Sequence, residues 1–297
     1  MPVPASIHLE NNDYRLVIDP SLGATILSAE WQHPDTGWLP LLAPLQDRLF
    51  KAGCFVMAPF VNRIADGAFS YGGQSHHISL NNPKEGMALH GFARDHVWQV
   101  AQQTDVAVDL VLDLSASPWH FRLTQRVELG AGGIRVSLAA TNTGAETMPF
   151  GIGLHPWFPK PRGTVLRLAA EGAHARDARG LPLAARVDWP WLGKALDGAG
   201  WFDGCFTGWS PRQARIEWPD QGAALDLRAD GALRHVHVYT PDGRDVLCVE
   251  PVSHLPDAIN RPMLAADTQM HELAPGEPLS GAMTLEALVM QSDQAKA

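Results

Sequence analysis

The sequence predicts an all-β protein, a large antiparallel β-sandwich with few short helices, and three observations carry that expectation. Apolar residues recur with a period of two along much of the chain, which is the pattern of strands with one buried face. Gly (27) and Pro (23) of 297 residues fall between those segments as turn punctuation. Long stretches with helical periodicity are hard to find, and many short strands divided by turns mean a sandwich or barrel.

Taken in order, short strands are expected at 5–9, 13–18 and 24–31, then at 75–80 and 97–101. In "AVDLVLDL" Val108, Leu110, Leu112 and Leu114 share a face. In "FRLTQRVEL" Phe121, Leu123, Val127 and Leu129 do the same, with Gln125 as the exception. "GAGG" then turns the chain into "IRVSLAAT", where Ile134, Val136 and Leu138 line up again. This reads as a β-hairpin with one buried face. Further strands are expected at 164–169, 213–218, 223–228, 234–240 and 283–290, and short helical turns around 43–50 and 255–260. The Ala/Gly-rich stretch 170–200 has weak periodicity and is expected as a long excursion from the sheets. With no internal repeat and no linker, residues 1–297 are expected to form a single domain, a length that large all-β folds reach as one unit.

Composition excludes several classes of partner. A net charge of −9 with scattered Lys and Arg argues against nucleic acid and against a polybasic membrane patch. The first twenty residues lack the basic head and apolar core of a secretory signal, and no apolar run is long enough to cross a bilayer. Cys54, Cys205 and Cys248 are odd in number and form no CxxC pair, which fits reduced thiols and a cytoplasmic location.

Four polar stretches stand out from the strand pattern. "NRIADGAFSYGG" holds Asn62 and Arg63 before a turn and a short hairpin around 69–71. "ALHGFARDHVW" holds His90 and Arg94, "GIGLHPWF" holds His155 and Trp157, and "CVEPVSHLPDAIN" drives an apolar run into Glu250 and Pro251. Each has a plain structural reading: a histidine satisfied in a Gly-rich turn, Arg63 neutralising Asp66, Trp157 and Phe158 as core aromatics, Glu250 as a solvated strand end.

Together and in this order the four stretches resemble the aldose 1-epimerase (galactose mutarotase) family over about residues 10–290. The resemblance implies the large galactose mutarotase-like β-sandwich. It also implies an isomerase that interconverts the α and β anomers of a free aldose such as galactose or glucose. That reaction removes a proton from the C1 hydroxyl, delivers one to the ring oxygen, and closes the ring on the other carbonyl face. One acid and one base suffice, so neither a metal nor another cofactor is expected. By resemblance Glu250 is the base and His155 the acid, with Glu250 ionised and His155 protonated at working pH. His90, Arg63, Asn62, Trp157 and Asp203 of "WFDGCF" are implied sugar contacts.

Arg94 complicates the substrate. His-Gly-Phe-Ala-Arg is similar to a stretch of hexose-6-phosphate 1-epimerases, where an arginine holds the phosphate, whereas "HPWF" and "EPVSHLPDAIN" resemble the free-sugar branch. A non-catalytic carbohydrate-binding protein of the same fold is the reading from another class, and the joint presence of His155 and Glu250 speaks against it. A lactone hydrolase would need an activated water, for which no motif is visible. His235 and His237 share a strand face with a spacing open to metal ligation, without a third ligand marked nearby. A monomer or homodimer acting on a small sugar is the expected form.

Overall fold

The structure is a computed structural model that describes residues 6–44 and 53–290. Its described residues form two large antiparallel sheets, three two-stranded ones, and six 3-10 turns of three residues each. The expected helical turn at 43–50 lies outside the described residues, apart from 43 and 44. The one near 255–260 is the 3-10 turn Ala258–Asn260.

The 8-stranded sheet is built on the expected hairpin. Trp119–Gly130 pairs with Gly133–Asn142, with Leu129 opposite Ile134 and Gly130 opposite Gly133, so two residues close the turn. Burial alternates strictly along Trp119–Leu129, with Gln125 on the inner face among Leu123 and Val127. Arg122, Arg126 and Glu128 line the outer face, where Arg122 pairs with Asp113 across the neighbouring strand. The sheet runs Gln99–Gln103, Ala107–Ala116, this hairpin, Pro278–Val289, Ala223–Gly231, Gln213–Trp218 and Val165–Leu168.

The 11-stranded sheet covers the other side of the core. Its centre is the series Cys54–Met57, Gly153–Pro159, Val246–Val252, His235–Thr240 and Phe202–Thr207. One apolar cluster joins the sheets, taking Val56, Leu154, Phe158, Leu247, Val249, Val236 and Val238 from this series and Phe121, Leu123, Val136 and Leu138 from the hairpin. Each fully buried aliphatic or aromatic side chain stabilises the fold by about 1.5–3 kcal/mol relative to exposure, so period two in the sequence is the imprint of this shared layer.

One expectation is corrected. Residues 170–200 are not an excursion throughout, because Gly172–Arg176 and Pro182–Val187 extend the 11-stranded sheet at its edge. The edge strand exposes five of its six residues, Leu183 to Val187. With no buried face to mark, it carries no period-two signal.

Candidate active site

Because side chains alternate across a strand, the five central strands that send one set of residues into the core send the other to the opposite face. That face collects Phe55, His155, Trp157, Cys248, Glu250, His237, Tyr239 and Asp203. Register sets their order. Gly153 pairs with Val252 and Trp157 with Cys248, which brackets His155 and Glu250 symmetrically; His155 also faces Phe55, His237 faces Glu250, and Tyr239 faces Asp203. Glu250 does not end its strand, as the apolar run into Pro251 suggested. The strand continues through Pro251 to Val252, and Glu250 is 1% exposed at the centre of the sheet.

His155 Nε2 lies 3.2 Å from Glu250 Oε1. The imidazole is held between two aromatic faces, Phe55 at 4.4 Å and 24° and Trp157 at 5.2 Å and 20° between planes. His90 meets it edge-on at 5.1 Å. Glu250 Oε2 and His155 Nδ1 are buried and lack hydrogen-bond partners, a costly state that polar groups of a ligand would relieve. Beside this pair, Asp203 accepts a 2.6 Å hydrogen bond from His237 Nε2 and pairs with Arg63 at 3.1 Å and Arg176 at 2.9 Å. The structural alternative for Arg63, neutralising Asp66, is not what is seen: Asp66 pairs with Arg179. Glu250, His155, Phe55, Trp157, His90, Asp203, His237 and Arg63 line one cavity of about 560 Å3, together with Asn62, Arg94, Asn82, Glu85 and Leu89.

Two of the lining residues sit on strained backbone. Asn62 (φ 54°) and His90 (φ 61°) are both left-handed, and the His90 N–H donates to the Asn62 carbonyl at 2.7 Å. Gly91 follows at φ 67°, and a Cβ there would stand 2.0 Å from the Ala58 carbonyl oxygen, so only glycine lets His90 enter the cavity. Asn62 Oδ1 accepts from Arg63 NH1 at 2.8 Å and fixes the guanidinium against Asp203. Arg94 lines the opposite wall with its Cζ 5.4 Å from the Phe55 ring centre. Its Nε is 3.7 Å from Asp95, too long for a good hydrogen bond.

Burial sets the protonation of the catalytic candidates, and it runs against the charged pair anticipated from the sequence. Desolvation pushes Glu250 well above the usual carboxylate range, helped by Asp203 and opposed by Arg63. Desolvation likewise holds His155 well below the usual histidine range, followed by the charges of His237 and Arg94. His90 is lowered for the same leading reason, with Arg94 next. Asp203 is the contrast. Burial alone raises it, but the His237 hydrogen bond and the charges of His237, Arg63 and Arg176 prevail, so it stays ionised. A fixed anion therefore sits beside a pair that burial drives toward neutrality.

All eight site residues named from the sequence line this cavity. Phe55, His237, Tyr239 and Trp201 line it too and are not among the residues named from the sequence. Only His237 had a legible signal, its shared face with His235, and the two do not act together: His235 Nε2 lies 2.9 Å from the Asp267 carbonyl while His237 serves Asp203. Among the described residues, one set of metal-ligand types converges: donor atoms of His155, Cys248 and Glu250 lie within 4.8 Å of one another. All three cysteines are free and buried.

Comparison with known proteins agrees with this architecture. The sequence profile of the aldose 1-epimerase family matches residues 5–286. YphB of Escherichia coli K12, itself uncharacterised, is 30% identical over 285 residues, covering 91% of this chain and 95% of its own. A solved E. coli K12 structure described as a candidate aldose 1-epimerase superposes with a TM-score of 0.83 at 29% identity, over 96% of this chain and 99% of that one. A galactose mutarotase-like protein from Clostridium acetobutylicum shares the fold, with a TM-score of 0.85 at 19% identity over 96% and 95% of the two chains. With its two-sheet architecture, its buried Glu250–His155 pair and a family match over nearly its whole length, the chain belongs to the aldose 1-epimerase family.

Proposed function

We propose that the protein is an aldose 1-epimerase that interconverts the anomers of a free aldose such as galactose or glucose, with Glu250 and His155 as the proton-transfer pair. The observation that carries this reading is their 3.2 Å contact in a cavity that Asn62, Arg63, His90 and Asp203 also line.

The pair holds one proton beyond the bare carboxylate and neutral imidazole. Placed on His155, it leaves Glu250 ionised. Glu250 then takes the proton of the C1 hydroxyl while His155 gives its proton to the ring oxygen, and the C1–ring oxygen bond breaks. The products are an open-chain aldehyde, a protonated Glu250 and a neutral His155. Rotation about C1–C2 presents the other carbonyl face, and both proton transfers reverse as the ring closes. Each group is thus acid and base once per turnover, and the sugar carries no charge at either end of the step. The proton arrangement favoured by burial, neutral acid with neutral imidazole, is the one that accompanies the open chain. Arg63, Asn62, His90 and the ionised Asp203 would hold the sugar hydroxyls, and Trp157 would cover a ring face.

The test is anomer exchange of freshly dissolved sugars, by polarimetry or NMR. Glu250→Gln and His155→Asn are each expected to slow exchange by roughly 10²–10⁴-fold while sugar binding persists. A variant with near wild-type rate would remove that residue from the mechanism. His90→Asn should cost less than His155→Asn, since its part is positioning. One observation supports a second reading, hexose-6-phosphate 1-epimerisation: the Arg94 guanidinium lines the cavity with only a loose partner in Asp95. The acidic net charge and the ionised Asp203 favour the neutral sugar.

A further inference from the structure

Cys248 has no part in the proton transfers derived for the sugar, yet it stands beside both groups that perform them. Cys248 and Glu250 are two residues apart on the strand Val246–Val252 and so share a face. Trp157 pairs with Cys248 across the neighbouring strand, which places His155, two residues before Trp157, next to both. Donor atoms of the three side chains lie within 4.8 Å of one another. All three are buried, and Cys248 is packed with Trp157 and Ala43. Donors carried on paired strands hold their positions more precisely than donors carried on loops.

The distances suit a tetrahedral metal ion. Zinc bonds of about 2.0–2.1 Å to nitrogen and oxygen set those two donors about 3.3 Å apart. His155 Nε2 and Glu250 Oε1 stand 3.2 Å apart. A zinc–sulfur bond of about 2.3 Å asks for sulfur about 3.6 Å from each, and three protein ligands leave the fourth position to water. Glu250 Oε2 and His155 Nδ1 are buried without hydrogen-bond partners, so donor capacity is left over to meet an ion. Charge balances too. The site holds the Cys248 thiol proton and the one proton shared by Glu250 and His155, and binding releases both to solvent. Two positive charges enter as two protons leave, so the net charge of a dry site is unchanged, where an uncompensated dication would be strongly penalised. Donor softness selects the ion. Thiolate and imidazole suit zinc and its stand-in cobalt(II), whereas magnesium and calcium ask for about six or more oxygens.

We propose that His155, Cys248 and Glu250 form an inhibitory zinc site. The ion takes the electron pairs with which Glu250 and His155 move protons, so zinc and sugar exclude one another, and Cys248 is the residue that makes the pair metal-sensitive. The inhibition rests on the epimerase reading; the ion site itself does not, and it is tested by binding.

The experiment titrates the chelator-stripped full chain with Zn²⁺ alone by calorimetry and with Co²⁺ by absorption, for wild type, Cys248→Ala and Cys205→Ala. Anomer exchange of glucose and galactose is followed on the same samples. Wild type is expected to bind one Zn²⁺ per chain that Cys248→Ala binds about 100-fold or more weakly, because even an outer partner of a metal ligand contributes about 10–100-fold. Co²⁺ should give wild type and Cys205→Ala a thiolate charge-transfer band that Zn²⁺ abolishes and that Cys248→Ala lacks. Zn²⁺ should slow exchange competitively with sugar, a chelator should restore it, and Mg²⁺ should have no effect. Without zinc, Cys248→Ala should exchange anomers within about two-fold of wild type, since it moves no proton, and it should resist zinc that stops wild type. Equal Zn²⁺ binding by wild type and Cys248→Ala, as surface histidines would give, would overturn the proposal. So would a wild-type Co²⁺ spectrum without a thiolate band, a result that requires no variant to fold. Zinc held through Cys248 by a protein that exchanges no anomers would uphold the site and sink the epimerase reading. Anomer exchange indifferent to zinc would do the reverse.

Discussion

Glu250 is a buried carboxyl whose pKa is raised by desolvation, and this has a thermodynamic sign. Between the unfolded value, near 4.3, and the raised folded value, the native state holds a proton that the unfolded state has released, so stability falls as pH rises. His155, lowered in the fold, acts oppositely below about 6.5, where stability falls with falling pH. Above about 6.5 His155 no longer contributes, and Glu250 contributes up to its raised folded value. Glu250→Gln is therefore expected to be more stable than wild type, by a margin that widens toward a limit of about 1.4 kcal/mol per pH unit. Urea titrations from pH 7 to 9 measure it, and a margin that stayed constant with pH would show that Glu250 is ionised in the fold. Arg94 bears on the substrate. If the sugar were phosphorylated, Arg94→Ala should weaken turnover by roughly 10-fold or more, because a hydrogen bond to a charged group contributes about 1.5–3 kcal/mol. With a free aldose the change should barely alter turnover. Wild type and variant compared on glucose and glucose 6-phosphate at low salt decide it.

The segments that bring these residues together are laced by backbone contacts. Val61 N–H donates to His254 Nε2 at 3.1 Å, Asp257 N–H to the Arg63 carbonyl at 2.6 Å, Ala65 N–H to Asp257 Oδ1 at 3.0 Å, and Asn260 Nδ2 to the Ala68 carbonyl at 2.9 Å. The "VSHLPDAIN" stretch thus acts as a template on which the Asn62–Arg63 segment is moulded. Gly151 belongs to it as well. Its N–H donates to the Pro59 carbonyl at 2.6 Å, and a Cβ there would lie 2.1 Å from the His254 ring. Gly151→Ala is expected to displace His254 and leave the Val61 amide unsatisfied, which costs about 1–3 kcal/mol. The readout is a raised KM with a smaller change in kcat, since Arg63 loses its position while Glu250 and His155 stay on their own strands. An unchanged KM would show that the template is dispensable. His254 has a pH signature too. Burial lowers it to about 4, so its contribution is complete above the unfolded value near 6.5 and is lost as pH falls toward 4.

Both sheets contribute to one apolar layer, and Gln125 is its exception. It lies on the inner face of the Trp119–Gly130 strand, 1% exposed, with a side-chain carbonyl that has no hydrogen-bond partner. A buried unsatisfied acceptor costs about 1–3 kcal/mol, and Leu is close to Gln in volume. Gln125→Leu should therefore stabilise the protein by about 1 kcal/mol and raise Tm by about 2 °C. Because Gln125 is on the sheet opposite the active cavity, anomer exchange should not change. A lower Tm would mean that the amide is engaged in the folded state.

The sequence by itself determined the fold class, because a half-buried strand must alternate and the inner layer leaves that alternation readable from Val108 through Leu138. It also determined the four motif stretches and the residues in them, since Asn62–Arg63, His90, His155 and Glu250 each interrupt a strand or turn pattern with a polar group that packing alone does not require. Tertiary structure decided what local pattern cannot encode. The edge strand Pro182–Val187 has no buried face and so leaves no periodic trace. Phe55, Tyr239 and Trp201 look like ordinary strand and loop aromatics until register turns them toward one cavity. Protonation was decided there as well. Whether Glu250 carries charge depends on how much water is removed and on which anions and cations the neighbouring strands bring near, a sum over residues up to about 190 positions apart in the chain.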